Sequence, residues 1–489
     1  MISLDSPLTW SEIAAIAHGA SLSLTPSALY RLARAHGIVR GLVAQHIRGY
    51  GINTGVGALC DVIVSPAQQS ALSRNIVMSH AVGIGAPLGA PETRAIMAAA
   101  INNYAHGYSG LRPELVEALV ALLNAGCTPE VPGQGSVGYL SHMAHISLVL
   151  IGHGHAVMGG KRLTGAEALA RVGLEPFTLE AKEGLSLVNG TVCATGLACM
   201  ALAKAERLLG WADAVAAMGF ELQRCQISAL APAAMALRGS PGLLDVAARL
   251  NDYLEGSTLL AGAAGARTQD ALSLRAVPQA HGAVRDVFAN VAELVDRELR
   301  SVTDNPIVTG TPDAPEVHSQ AHAMGPAVGL AMDQLGTAMA QIGVMAERRL
   351  DRLVNPLVSG LPAFLAAGSG VESGFMIAQY AALSLLGENR RLAAPASLDA
   401  GITSGLQEDY LSHATPAALK ALAILGNVQS IVAIELLAAC QAYDLAGATP
   451  APRLAPIRAR VRKEVPVYAD DRPLSEDFRA VTKLLEAHL

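Results

Sequence analysis

The feature that most constrains this chain is a set of long runs with helical periodicity in its second half. GLACMALAKAERLLGWADAVAAMGFELQ, HGAVRDVFANVAELVDRELRSV, AVGLAMDQLGTAMAQIGVMAERRLDRLV and TPAALKALAILGNVQSIVAIELLAACQAYDLA recur in apolar residues at helical spacing. Three of them lack proline, and the fourth has it only in its first turn. Each is far longer than a typical helix of about 11–12 residues, so a bundle of long, roughly antiparallel helices is expected. Abundant Ala and Gly with only 4 % aromatics suits such a bundle, because small residues let helices pack closely.

Residues 1–193 read differently. Short helices alternate with Gly-rich loops: DSPLTWSEIAAIA and TPSALYRLARAHGIV each place a Ser or Thr cap before an apolar-periodic run. PAQQSALSRNIVMSHAVG and PETRAIMAAAINNYAHG are helices closed by glycine, and RPELVEALVALLNAG is amphipathic. KRLTG suits a hairpin, and other strands are expected to be few and short. The fold class is mainly α, with an N-terminal helical and loop domain over 1–193. A long-helix bundle with a more charged helical tail follows over 194–489.

Composition excludes several partners. Lys and Arg number 35 against 41 Asp and Glu, a formal charge of -6 with no basic block, which argues against nucleic acid. No apolar run reaches the ~18 residues of a spanning helix without an interrupting charge, Gly or His, and the start lacks a basic region leading into an apolar one. Cys60, Cys127, Cys193, Cys199, Cys225 and Cys440 are scattered, as reduced thiols are. No membrane partner and a cytoplasmic location are the expectations. A chain 51 % hydrophobic and 16 % charged also points to apolar surface buried between copies.

Several segments can carry chemistry. RGYGINTGVG sets four glycines around Tyr50, Asn53 and Thr54, a pre-shaped loop that can present one phenol or simply turn the chain. PGQGSVGYLSHMAH holds Gly133, Gly135 and Gly138 in a formal G-x-G-x-x-G, but that match is weak, since no strand or βαβ unit surrounds it, and dinucleotide binding is not expected. His142 and His145 stand three apart, with His153 and His155 beyond, and lack the carboxylate or thiol partners of a metal site, so no metal is expected. Asn189 and Thr191 precede a helix, Asp304 caps the turn SVTDNPIV, and TQDALSLRAVPQ offers Gln269, Asp270 and Arg275. Gln407, Glu408 and Asp409 form one polar run. Singly, each is more often a capped turn or a solvated face.

Together and in this order, YGINTG, MSHAVGIGAPL, GYSGLRPELVEAL, EAKEGLSLVNGT, VTDNPIV, ESGFMIAQ and QEDYLS resemble the histidine/phenylalanine/tyrosine ammonia-lyase family. The likeness runs from about Tyr50 to Tyr443. It implies a helical homotetramer whose subunits share active sites, and loss of ammonia from an α-amino acid to give the α,β-unsaturated acid. The β-proton is barely acidic and the amine leaves poorly. The family answers with a methylidene-imidazolone made from an internal Ala-Ser-Gly, an electrophile that makes the amine able to leave.

By resemblance, Tyr50 is the base, Asn189 steadies the electrophile and Arg275 clamps the substrate carboxylate. His80 and Glu408 match the histidine-type members, where a carboxylate can accept an imidazole N–H. Gln269, Leu272, His322 and Gln407 fall among the substrate-binding positions. Leu272 stands for the family's Tyr, Ala321 and His322 for an Asn-Phe pair, and Leu406 for an Asn, changes that imply a wider pocket for a larger substrate. The sharpest departure is at Gly138, which runs directly into Tyr139 where the family has Ala-Ser-Gly. Either the chain contains a cyclised residue that the residue string does not spell, or the tripeptide is absent. In the second case the protein works on a substrate with a better leaving group, or serves as a binding or assembly homologue.

Overall fold

The computed structural model describes all residues except 369 and 400. Its contacts fall into two compact units. The first comprises residues 1–202, 292–333 and 395–419, and the second 203–291, 334–394 and 420–489. The four long runs form helices Val192–Leu222, Val277–Leu299, Pro326–Val354 and Ala414–Ala446. Residue 193, where short helices give way to long ones in composition, is the second residue of the first of these. Glu183–Leu222 and Ala414–Ala446 are long and apolar enough to cross a membrane, yet their apolar windows are 100 % and 72 % buried, as in core helices.

In the first unit, caps and close glycine contacts define the short helices. Thr25 Oγ1 accepts from Ala28 N–H, with Pro26 filling the first turn of Pro26–Ala44; such a cap contributes about 1 kcal/mol. The KRLTG segment does form a hairpin: His155–Met158 pairs antiparallel with Lys161–Thr164. Its two-residue turn is Gly159-Gly160, both at positive φ, as a turn that follows the strands' twist requires. The other sheets are short pairs, among them Ile307–Gly310 with Pro315–His318.

Helix Glu183–Val188 lies tight against Gln69–His80. A Cβ on Gly184 would sit 2.0 Å from the Ser73 carbonyl oxygen, so only glycine permits that approach. Lys182, wholly buried, donates from Nζ to Asp304 Oδ2 at 3.0 Å, to the Ser109 carbonyl and to Ser186 Oγ, tying EAKEGLSLVNGT to VTDNPIV. The two segments so tied contribute Leu185, Asn189 and Asn305 to the lining of a cavity in the first unit.

The second unit is long helices around buried charge. Asp213 accepts from His281 Nδ1 at 2.8 Å and from Arg285 Nη2. Arg349 grips Glu435 through Nε at 2.6 Å and Nη2 at 3.0 Å, a bidentate pair with both side chains fully buried. Glu221 takes bonds from Ser257 Oγ, Tyr443 Oη and the Ala451 N–H.

Candidate active site

The loop Arg48–Gly57 is held by its own side chains. Asn53 Oδ1 accepts from Gly49 N–H and Asn53 Nδ2 donates to the Ile47 carbonyl, both at 2.9 Å. Gly51 has φ +61°, and a Cβ there would meet Leu185 at 2.4 Å. The loop so fixed presents the Tyr50 phenol, whose oxygen accepts from Gly57 N–H at 2.8 Å. Burial pushes Tyr50 above the usual phenol range, with the Glu408 charge adding to it, while the Gly57 N–H pulls it down.

His80 ends the helix Gln69–His80. Its Nδ1 donates to the Ile76 carbonyl at 2.7 Å, so in the neutral ring Nε2 is the acceptor. Burial holds His80 below the usual histidine range, against the Ile76 carbonyl and Glu408. Asn189 closes helix Glu183–Val188 and donates from Nδ2 to the Asn305 carbonyl at 2.7 Å. Asn305 precedes Pro306 through a cis peptide bond.

Glu408 is the anionic centre. Its Oε2 accepts from Tyr139 Oη at 2.6 Å and Thr403 Oγ1 at 3.1 Å, and its Oε1 from Ser404 Oγ at 3.1 Å. All three donors are neutral hydroxyls. Tyr139, only 6 % exposed, is driven far above the usual phenol range by burial first, then by its bond to Glu408 and the charge there.

Tyr139 is delivered by a tight turn. Ser136 Oγ accepts from Gly138 N–H at 3.2 Å and donates to the Tyr139 carbonyl at 2.9 Å. Ser141 N–H then donates back to that same carbonyl at 3.1 Å across Leu140, which sits at φ 74° and ψ -76°. A γ-turn of this hand is rare and strained, and helix Ser141–Leu150 starts at once after it. Gly138 has φ +141°, and a Cβ on it would lie 2.6 Å from Ser412 Oγ.

Tyr50, His80, Tyr139, Asn189, Gln407 and Glu408 all line one cavity of about 820 Å³ in the first unit. Gly138 adjoins it. Ala321 and Ala323 are in the wall, whereas His322 between them is exposed outside it. Gln269, Leu272 and Arg275 belong to the second unit. There Arg275 Nε donates to the Asp270 carbonyl at 2.9 Å, and Gln269, with its amide oxygen turned toward Arg275, accepts from the guanidinium. Leu272 is 64 % exposed.

Residues that pattern reading passed over include Lys182, Asn305 and Ser404. The charge pair Lys182–Asp304 joins two motifs far apart in sequence, and nothing in either motif names the other. No metal-binding group of His, Cys, Asp or Glu occurs among the described residues. His145 Nε2 instead accepts from Gly83 N–H at 3.0 Å, and His142 Nε2 donates to the Gly133 carbonyl at 3.2 Å.

Comparison with known proteins identifies the class. A family model described as aromatic amino acid lyase matches residues 8–464. The chain is 46 % identical over 492 residues to the histidine ammonia-lyase of Symbiobacterium thermophilum, covering 99 % of this chain and 96 % of that protein. Histidine ammonia-lyase from Trypanosoma cruzi superposes with a TM-score of 0.91 at 35 % identity, over 99 % of this chain and 93 % of that one. An ergothioneine-degrading ergothionase from Treponema denticola superposes with a TM-score of 0.93 at 25 % identity, over 99 % and 98 %. The chain belongs to the aromatic amino acid lyase family, and its class is that of the carbon–nitrogen lyases.

That family is of the methylidene-imidazolone type, but the residues present here do not fit the group. Ala-Ser-Gly occurs nowhere in the 489 residues. The turn from Ser136 to Ser141 closes on its own hydrogen bonds, and the Tyr139 phenol is bound to Glu408.

Proposed function

We propose that this chain eliminates an amine from a histidine-like or aromatic α-amino acid, in the manner of an ammonia-lyase, leaving the α,β-unsaturated acid. The observation that carries this reading is the convergence of Tyr50, His80, Asn189 and Glu408, from four separate segments, on one cavity. Tyr50 is the base that takes the β-proton. Glu408 accepts the N–H of a substrate ring and His80 offers Nε2 to the same ring, while Asn189 and Gln407 orient the polar end.

Because burial and Glu408 keep Tyr50 protonated, it becomes a base only when positive charge enters the cavity. The substrate's own cationic nitrogen supplies that charge. Self-assembly belongs to the same reading. In a homotetramer, Arg275 of a neighbouring copy clamps the substrate carboxylate with Gln269 orienting it, and Leu272 and His322 border a pocket wider than histidine needs. In support, Ile63, Val82, Ile84 and Leu406, in segments that flank site residues, are 75 %, 61 %, 65 % and 74 % exposed, apolar surface that a neighbouring copy would cover.

The test is to incubate the purified chain with histidine, with larger imidazole or aryl analogues, and with N-alkylated forms of each, following the absorbance of the unsaturated product. Product from at least one of these, and more from a larger analogue than from plain histidine, is the expected result. Ligand-induced thermal stabilisation with no product from any of them would make the chain a binding homologue instead.

A further inference from the structure

We infer that this chain carries out its elimination with no protein-derived electrophile and takes an α-amino acid whose nitrogen is already quaternary, with Tyr139 and Glu408 filling the place from which an electrophile would act. The inference rests on the elimination reading above and adds the substrate's nitrogen chemistry.

The first support is steric. Gly138, Tyr139, Leu140 and Ser141 are joined by a turn with no slack: Ser136 Oγ bridges its two ends and the Ser141 N–H closes it. Leu140 is held at positive φ, a conformation a leucine keeps only when its surroundings impose it. What the turn delivers into the cavity is a phenol bound to a carboxylate at 2.6 Å, a pair with no electrophilic character.

The second is chemical. An ammonium nitrogen titrates at about 8–10, so its N–H is far more acidic than a β C–H. A base able to reach the β-proton would take the N–H first, and the neutral amine could then leave only as an amide anion. An electrophile that captures the nitrogen removes this obstacle, and so does a nitrogen with no N–H. With a quaternary substrate the Tyr50 phenolate takes the β-proton, and the C–H electron pair becomes the new Cα=Cβ bond. The Cα–N pair departs with nitrogen as a neutral tertiary amine. Phenolate and cation become phenol, alkene and amine, so charge and atoms balance, and the phenol returns its proton to water.

The third is electrostatic. Glu408 and Asp409 line the cavity, and Arg48, the one arginine among the described lining residues, is ion-paired to Asp61 at 2.6 Å. The hydroxyls around Glu408 carry no charge to offset it. Two phenols, Tyr50 and Tyr139, beside a carboxylate with no cationic partner are the residue types that hold a quaternary ammonium. A permanent cation there also lowers Tyr50 toward its working, deprotonated form.

The experiment compares histidine with its N,N,N-trimethyl betaine on the purified full chain, following the unsaturated acid and the released amine. The intact mass is measured on the same sample. Expected are a mass equal to the sequence, a kcat/KM for the betaine at least ~100-fold above that for histidine, and no loss of activity after borohydride treatment. Tyr139→Phe is expected to raise KM for the betaine more than it lowers kcat, because the phenol positions Glu408 and faces the cation.

Comparable turnover of histidine overturns the inference and leaves the elimination reading standing. So does a mass two waters lighter than the sequence, or heavier by a cyclised tripeptide. Absence of unsaturated acid from both these compounds and from the larger analogues, with the fold intact, defeats the elimination reading itself.

Discussion

The packed interior of the molecule and the first unit's cavity treat their charges in opposite ways. In the packed interior acids meet cations: in the second unit Asp213 has Arg285 beside His281 and Glu435 has both arms of Arg349, and in the first Asp304 has Lys182. His281 is held below its usual range by burial, against Asp213, so it bridges as a neutral ring, Nδ1 donating to Asp213 and Nε2 near Arg349 Nη1 at 3.5 Å. In the first unit's cavity Glu408 has hydroxyls but no cation, and Tyr50 has a single backbone N–H. The same residue types therefore serve two ends. Where charge is closed off by partners it locks helices, and where it is left short of a partner it waits for one from solution.

The largest effect that would sharpen this contrast is at Tyr50. Tyr50→Phe removes one hydroxyl and leaves the self-stapled loop in place, so unfolding should barely change while kcat falls by about 10²–10⁴-fold, the usual contribution of a positioned base. A kcat within about threefold of the parent would strip Tyr50 of the role.

Next is Arg349→Ala in the bundle, which strands Glu435 without its cation. Breaking a buried pair from one side costs about 3–5 kcal/mol, and chemical denaturation should show it. Activity of whatever folded protein remains should be little affected. A loss below about 1 kcal/mol would mean that water reaches Glu435, and the closed-versus-open distinction would fail.

Tyr139→Phe sits between the two regimes. It deletes a bond to a carboxylate, worth about 1.5–3 kcal/mol, yet Thr403 and Ser404 still hold Glu408. Substrate affinity should weaken by about 10-fold or more with a small change in thermal midpoint, readable as a rise in KM. A midpoint drop with KM unchanged would reassign Tyr139 to structure alone.

Much of this was legible in the sequence. The long helices follow from apolar periodicity and missing prolines, which act locally, and the hairpin at KRLTG follows from the Gly-Gly turn before it. The pocket-lining residues Tyr50, His80, Asn189 and Glu408 were legible through motif order. The Tyr139–Glu408 bond was not, because it spans 269 positions and neither flanking segment implies the other. For the same reason Lys182 was passed over, although it is completely buried on Asp304. Nor could periodicity show that His322 would turn outward while its alanine neighbours line the cavity.

The smallest predicted effect tests a buried acid of the first unit that lies outside the cavity. Glu183 is fully buried beside Arg112 Nη2 at 3.2 Å and accepts from the Glu180 N–H at 2.7 Å, so by the logic of the bundle it should be a matched charge. Burial nevertheless outweighs those contacts and raises it from the ordinary glutamate value of 4.5 to about 7. A carboxyl raised on folding binds its proton more tightly in the native state. Between pH 4.5 and about 7 the folded chain thus carries more protons at this site than the unfolded one, and stability falls as pH rises through that window. The thermal midpoint of the parent should therefore drop from pH 5 to pH 7.5 by more than that of Glu183→Gln, whose amide keeps an acceptor but cannot titrate. Parallel pH profiles for the two proteins would show that Arg112 does neutralise Glu183, and would move it from the open class of charges to the closed one.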